Sequence, residues 1–322
     1  MDIGVLGAGT WGIALAKLLC ENRHRVTVWS ALPEEIEWLS GGHEHKNLPG
    51  VKLPRDIEYT ADIEKALGAD FVLFAVPSAF VRSTVRAASP FLREGQIIID
   101  AAKGMESETL FTMTEVIADE MKKCGCTFEP KLVALSGPTH AEEVAIGMPT
   151  SVVCACSDEE CAQSAASLFM NSCMRVYTNT DVKGVELCGA LKNIIALASG
   201  MSTGMGYGDN TRAMLITRGI AEMSRMGLAG IGDLIVTCTS QHSRNNRCGE
   251  YIGRGMTYKE ASEKVGMVVE GYYALEAAVE LSRKYGEPLP IISAVYDVVM
   301  NGRKPADALD ALMTRAMRSE LD

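Results

Sequence analysis

Apolar residues fall into two regimes along the chain. In the first half, short runs that are apolar almost throughout, at residues 2–6, 25–29, 70–76, 96–100 and 132–136, alternate with longer stretches of helical spacing. The helical stretches are 10–22, 33–39, 78–88 and 107–123, and 41–54 is a polar loop. Strands without a polar face need cover on both sides, so this alternation predicts a parallel sheet between two layers of helices. Residues 149–156 and 175–177 have the composition of two further strands. Beyond about residue 181 the strand signal fades. Helical periodicity then runs over 184–201, 210–226, 268–285 and 291–300, and Thr257-Tyr258-Lys259-Glu260 is a capping box. The pattern predicts an α/β domain over residues 1–180 and an all-α domain over 181–322.

Composition narrows the setting. A chain of 322 residues with 47% apolar and 22% charged residues can build two cores. A formal net charge of −10 argues against a nucleic-acid partner, so any anionic ligand must be met by local positive charge. Ten cysteines, no basic leader followed by an apolar segment, and no run long enough to span a bilayer fit free thiols in the cytoplasm. Cys124-Gly125-Cys126 and Cys154-Ala155-Cys156 lack the C-x-x-C spacing and neighbouring histidines of a zinc site, and read as structural thiols.

Gly7-Ala8-Gly9-Thr10-Trp11-Gly12 directly follows a strand and opens a helix. In that context Gly7 permits the tight turn, Gly9 lets backbone approach a diphosphate, and Gly12 lets helix and strand pack closely. The free N–H groups of the helix start then hold the anion. The second strand ends Val28-Trp29-Ser30-Ala31-Leu32, with neither the acidic residue of many NAD sites nor the arginine of many NADP sites. Ser30 can serve a ribose hydroxyl or a 2′-phosphate, and without an acidic residue to repel that phosphate NADPH is expected to be accepted.

Several polar residues do not suit a core. Lys192 lies in a segment, 184–200, that is apolar almost all round. Its helical neighbours Cys188, Gly189, Ile195 and Ala196 cannot pair with it, so it is either kept for chemistry or reaches solvent with its head. Asp233, just before an apolar stretch, is the candidate partner. Lys103 follows the strand at 96–100, at the end where parallel sheets bind ligands, although a solvated loop lysine is an equal reading. Ser136-Gly137-Pro138-Thr139-His140 also follows a strand and precedes a helix start suited to an anion. His140 reads as packed or solvent-facing, and His43, His45 and Asn47 as surface. Residues 240–247 place Arg244, Arg247 and two amides at a helix start, which suits phosphate recognition or an exposed polar loop.

Together these segments resemble bacterial-type NAD(P)-dependent glycerol-3-phosphate dehydrogenase over nearly the whole chain. The matching pieces include Gly7–Gly12, Asn47-Leu48-Pro49-Gly50, Ala75-Val76-Pro77-Ser78, Ala102-Lys103-Gly104, Leu191-Lys192-Asn193, Ser243-Arg244-Asn245 and Val268-Val269-Glu270-Gly271. The resemblance implies a Rossmann-like doubly wound sheet followed by a helical substrate-binding and catalytic domain. It implies interconversion of dihydroxyacetone phosphate and sn-glycerol 3-phosphate with NAD or NADP, supplying glycerophospholipid synthesis. Lys192 looks like the family's general acid/base, its pKa drawn towards neutrality by desolvation. Asp233 would orient it, and Lys103 would bind and polarise the substrate and also touch the cofactor. Gly137 and Thr139 would contact substrate. Ser243, Arg244 and Asn245 would hold its far end, Arg244 also reaching the cofactor. Gly7, Gly9, Thr10, Trp11, Gly12, Ser30, Ala141, Val268 and Glu270 would border the cofactor.

The chain departs from the family in two places. Ala31-Leu32 stand where a basic residue is usual, and the short helix and loop usual between Gly227 and Leu228 do not stand in this sequence, either because the protein has lost them or because the sequence skips them where the two flanks join. The expected partners are a phosphorylated triose and a second copy of the chain, with no nucleic acid and no membrane insertion. The alternatives are a related β-hydroxyacid or ketopantoate-type dehydrogenase, or a non-catalytic dinucleotide sensor, which would have no need of Lys192.

Overall fold

A computed structural model of the chain describes residues 1–42, 44–224, 230–240 and 242–315. Internal contacts divide it into two units, Met1–Gly189 and Ala190–Asp322. His43 and the junction between Gly227 and Leu228 lie outside the described residues.

The first unit alternates β1 (Asp2–Leu6), α1 (Thr10–Glu21), β2 (Arg25–Trp29), α2 (Pro33–Ser40), β3 (Glu58–Thr60), α3 (Ile63–Leu67), β4 (Phe71–Phe74), α4 (Ser78–Ala88), β5 (Ile97–Asp100) and α5 (Met113–Lys123). It continues with β6 (Lys131–Ser136), α6 (Ala141–Ala145), β7 (Thr150–Ala155), α7 (Glu159–Phe169) and β8 (Met174–Asn179). The sheet order is β3-β2-β1-β4-β5-β6-β7-β8. All pairs are parallel except β6 with β7. The order reverses between β1 and β4, the switch point at which doubly wound sheets bind ligands.

The apolar strands have the cause read from their composition. Val5, Leu73, Ile99 and Val133 cluster with α1 and α7 on one face. Val72, Phe74 and Ile98 cluster with Val81, Val85, Val116 and Ile117 of α4 and α5 on the other. The helix expected over 107–123 begins only at Met113, because Thr112 and Glu115 form a capping box that stops it extending further back. β3, α3 and α7 had left little trace in the hydrophobic pattern. β3 has three residues on the sheet's edge. The buried face of α7 is built largely from alanine, and its start is set by Asp158, whose carboxylate accepts from the Glu160 and Cys161 amides.

Helix α8 (Val182–Gly204) crosses the division between the units. Within the first unit its Glu186 accepts from the Thr114 amide at 2.8 Å and from the Thr112 and Thr114 hydroxyls at 2.7 and 2.5 Å. Burial pushes this carboxyl above its usual range, against the pull of those donors.

The second unit continues α8 with α9 (Asp209–Ser224), α10 (Ile231–Thr239), α11 (Arg244–Gly253), α12 (Tyr258–Val265), α13 (Glu270–Tyr285), α14 (Pro290–Asn301) and α15 (Pro305–Met313). Here α8 and α11 meet backbone to backbone. A Cβ on Gly200 or Gly204 would fall 2.0 or 2.1 Å from the carbonyl oxygen of Asn246 or Glu250. A Cβ on Gly249 or Gly253 would fall 2.1 or 2.2 Å from that of Leu197 or Met201. Only hydrogen fits at these four positions.

Candidate active site

The turn between β1 and α1 has the geometry its glycines suggested. Gly7 has φ +123°, and a Cβ there would come within 2.9 Å of Ala75 backbone. On Gly12 it would lie 2.0 Å from the Gly7 carbonyl, whereas on Gly9 it would meet nothing within 4 Å. Gly9 is the N-cap of α1, and no side chain caps the helix or places a carboxylate in its first turn. Open backbone at an uncapped helix start fits a diphosphate. Thr10 is buried and accepts from Asn47 Nδ2 at 3.0 Å. The buried indole N–H of Trp11 has no hydrogen-bond partner among the described residues.

The polar loop that follows α2 is not simply surface. His45 is 6% exposed, its Nδ1 accepts from the Asn47 amide, and burial holds its pKa below the usual range. Together Asn47 and the buried Leu48 fold the loop onto the glycine turn, which explains why polar side chains there escape solvent.

The carboxyl end of β2 also differs from expectation. Ser30 is buried, and its hydroxyl donates to Glu35 Oε2 at 2.9 Å while accepting from the Leu32 amide at 3.1 Å. An acidic group therefore does stand at this strand end. It comes from the first turn of α2, five residues along the chain from Ser30, which is why the strand's own last residues did not reveal it.

At the carboxyl ends of β5 and β6, Lys103 Nζ donates to the Gly137 carbonyl at 2.8 Å and to Thr139 Oγ1 at 2.9 Å. Gly137 has φ +149°, and a Cβ there would lie 2.7 Å from the Ser151 carbonyl. Ala141 begins the short α6, which carries Glu142 and Glu143 in its first turn.

In the second unit Lys192 has a side chain only 6% exposed, so its head does not snorkel to solvent. Its Nζ donates to Asp233 Oδ1 and, at 3.0 Å, to Thr237 Oγ1. Asp233 and Thr237 are one turn apart on α10 and both are buried. The thiol of the following Cys238 is pushed up to about 12 by burial; Lys192 opposes that rise and Asp233 adds to it.

Ser243 is the N-cap of α11, its hydroxyl accepting from the Asn246 amide at 3.1 Å. Arg244 is the first helical residue, and among the described residues its guanidinium forms no hydrogen bond or ion pair. Asn245 is more occupied. Its Nδ2 donates to Asn193 Oδ1 and its Oδ1 accepts from the Gly271 amide, both at 2.9 Å, bridging α8, α11 and α13. Val268 is half-buried ahead of α13, and Glu270 is the buried first residue of that helix.

Thr237, Asn193 and Glu35 were missed as contributors to these clusters. For Thr237 the available signal was its i, i+4 spacing from Asp233, which puts both side chains on one helix face.

An open glycine turn on a doubly wound sheet, together with a helical unit that buries a lysine–aspartate pair, defines a dinucleotide-dependent dehydrogenase. The chain belongs to the NAD-dependent glycerol-3-phosphate dehydrogenase family, whose N-terminal profile matches residues 2–162 and whose C-terminal profile matches residues 181–310. It is 54% identical to glycerol-3-phosphate dehydrogenase (NAD(P)+) 2 of Lactobacillus delbrueckii subsp. bulgaricus, covering 99% of this chain and 98% of that one. It is 47% identical to glycerol-3-phosphate dehydrogenase (NAD(P)+) of Agathobacter rectalis, covering 99% and 97%. The crystal structure of glycerol-3-phosphate dehydrogenase from Coxiella burnetii superposes with a TM-score of 0.91 at 32% identity, covering 98% of this chain and 99% of that one.

Proposed function

We propose that the protein interconverts dihydroxyacetone phosphate and sn-glycerol 3-phosphate, consuming NAD(P)H and a proton in the direction of reduction. The observation that carries this reading is the buried Lys192 ammonium held by Asp233 and Thr237. When bound, the dinucleotide supplies the hydride. Lys192 gives its proton to the carbonyl oxygen that hydride addition would otherwise leave as an alkoxide, and takes the hydroxyl proton in the reverse direction. Asp233 orients the ammonium, and Thr237 fixes the direction from which it reaches the substrate.

Arg244 forks onto the phosphate and also reaches the cofactor, at a helix start that favours anions. Ser243 and Asn245 support it: the first caps the helix, and the second keeps one amide N–H beyond the two bonds already described. Lys103, with Gly137 and Thr139, binds and polarises the substrate. Gly7, Gly9, Thr10, Trp11, Gly12, Ser30, Ala141, Val268 and Glu270 border the cofactor. Family membership favours the triose phosphate over a ketopantoate-type substrate, and a sensor would not need the buried lysine.

In this reading the product feeds glycerophospholipid synthesis. The enzyme works in the cytoplasm, a reducing setting that suits its ten free thiols, and does so as a homodimer. The test follows NADH and NADPH absorbance separately on addition of dihydroxyacetone phosphate. Loss of absorbance with formation of glycerol 3-phosphate is expected, and no oxidation of either cofactor overturns the reading. Light scattering checks the dimer.

A further inference from the structure

We propose that Glu35 sets the cofactor preference of this enzyme, selecting the unphosphorylated adenosine ribose of NAD(H) over the 2′-phosphate of NADP(H). The proposal rests on the glycine turn being the dinucleotide site.

The turn and the end of β2 are tied directly, since the Gly7 amide donates to the Trp29 carbonyl at 2.8 Å. A dinucleotide whose diphosphate lies at the start of α1 therefore presents its adenosine ribose to the residues just after β2. The first of these is Ser30. A serine hydroxyl has one proton to give and two lone pairs. Here the proton goes to Glu35 Oε2 and one lone pair takes the Leu32 amide. What Ser30 offers a ligand is its remaining lone pair. A ribose 2′-hydroxyl can donate to that lone pair, but a phosphate dianion has no proton to give. The carboxylate thus turns a residue suited to either cofactor into one suited to the ribose hydroxyl. Its own charge, one hydrogen bond away, opposes a second anion.

The nearby positive charge does not restore a phosphate site. Ala31 and Leu32 have no basic group. Arg25 pairs with Asp2 at the amino end of β2, the end away from the turn. Lys65 pairs with Glu58. His45, which feels both Glu35 and Lys46, is held below its ordinary pKa chiefly by burial and so is neutral near pH 7. Lys46 is exposed in the loop and is a competitor that the test must address.

The experiment titrates the full-length protein calorimetrically with two redox-inert probes, ADP-ribose and 2′-phospho-ADP-ribose. Wild type is expected to bind ADP-ribose at least about tenfold more tightly than its 2′-phosphate, a gap of about 1.4 kcal/mol. Glu35→Gln keeps the size of the side chain and removes its charge. It should tighten the phosphorylated probe until the two agree within roughly threefold, while ADP-ribose itself stays within about threefold of wild type, which also shows that the variant is folded. Ratios of kcat/KM for NADH and NADPH should follow the same order. Equal or tighter wild-type binding of the phosphorylated probe overturns the proposal. So does a gap unchanged by Glu35→Gln, or one that only Lys46→Ala alters. If neither probe binds, the dinucleotide site itself is wrongly placed, an outcome distinct from the others.

Discussion

Thr237 Oγ1 accepts a hydrogen bond from Lys192 Nζ at 3.0 Å and donates its own hydrogen to the backbone oxygen of Asp233 at 2.5 Å. With its proton committed to the backbone, the hydroxyl can turn only a lone pair towards the lysine. Thr237→Val preserves shape and removes that acceptor. The expected result is a fall in kcat of roughly fivefold, about 1 kcal/mol, with KM nearly unchanged. Steady-state kinetics over a range of pH checks it, and an unaltered kcat shows the hydroxyl to be idle.

Lys192→Ala should abolish turnover yet leave dinucleotide binding nearly intact. Removing one partner of a buried ion pair costs about 3–5 kcal/mol, so this variant should also melt earlier. The double variant Lys192→Met with Asp233→Asn discharges both partners. It should recover much of the lost stability and none of the activity. Turnover in either variant rejects the acid/base role.

Arg244→Ala should raise the KM for dihydroxyacetone phosphate by about 2–3 kcal/mol, the worth of charge-assisted hydrogen bonds to a phosphate. Competition by inorganic phosphate should weaken in parallel. An unchanged KM assigns the phosphate to other groups.

Arg82 gathers three carboxylates of the first unit into an arrangement that acid undoes. It forks onto Glu106 at 2.6 Å through two nitrogens and reaches Asp119 at 2.6 Å and Glu120 at 2.8 Å. Hydrogen bonding to Arg82 pulls Glu106 below its usual range. Lys123 and then Arg82 do the same for Asp119. Burial pushes Glu120 up, but Arg82 and Arg86 together bring it below its ordinary value. A carboxylate depressed in the native state binds protons less readily than its unfolded counterpart, so its stabilisation is complete above the unfolded pKa and is lost as pH falls through the native one. Stability should therefore decline from near pH 4.5 downward. In Arg82→Gln the melting temperature should be lower at pH 7 and the acid-side decline shallower. Melting curves at stepped pH check both.

Those elements whose cause is local were legible in the chain. The sheet followed from strands without polar faces, the glycine turn from its place between strand and helix, and the Lys192–Asp233 pair from a charge stranded in an apolar helix. What stayed hidden depended on folding back. Glu35 reaches Ser30 only because Pro33 starts a helix whose first turn returns to the strand end. His45 and Asn47 look like solvent residues until their loop closes on Thr10. Asn245 looked like a free ligand group, but most of its amide is engaged by Asn193 and Gly271, partners on two other helices.

The contact of α8 with α11 bears on how this enzyme can be altered. Four glycines let those helices meet backbone to backbone, with no room for a side chain between them. Lys192 and Arg244, the proposed proton donor and phosphate anchor, are thus mounted on one frame, and under that proposal the spacing between them works as a ruler. Under the same proposal, a longer or shorter phosphorylated carbonyl compound would not be accommodated by letting the frame relax. Changing the substrate would mean moving the anchor to another residue, while exchanging a glycine for alanine would sooner break the frame than stretch it.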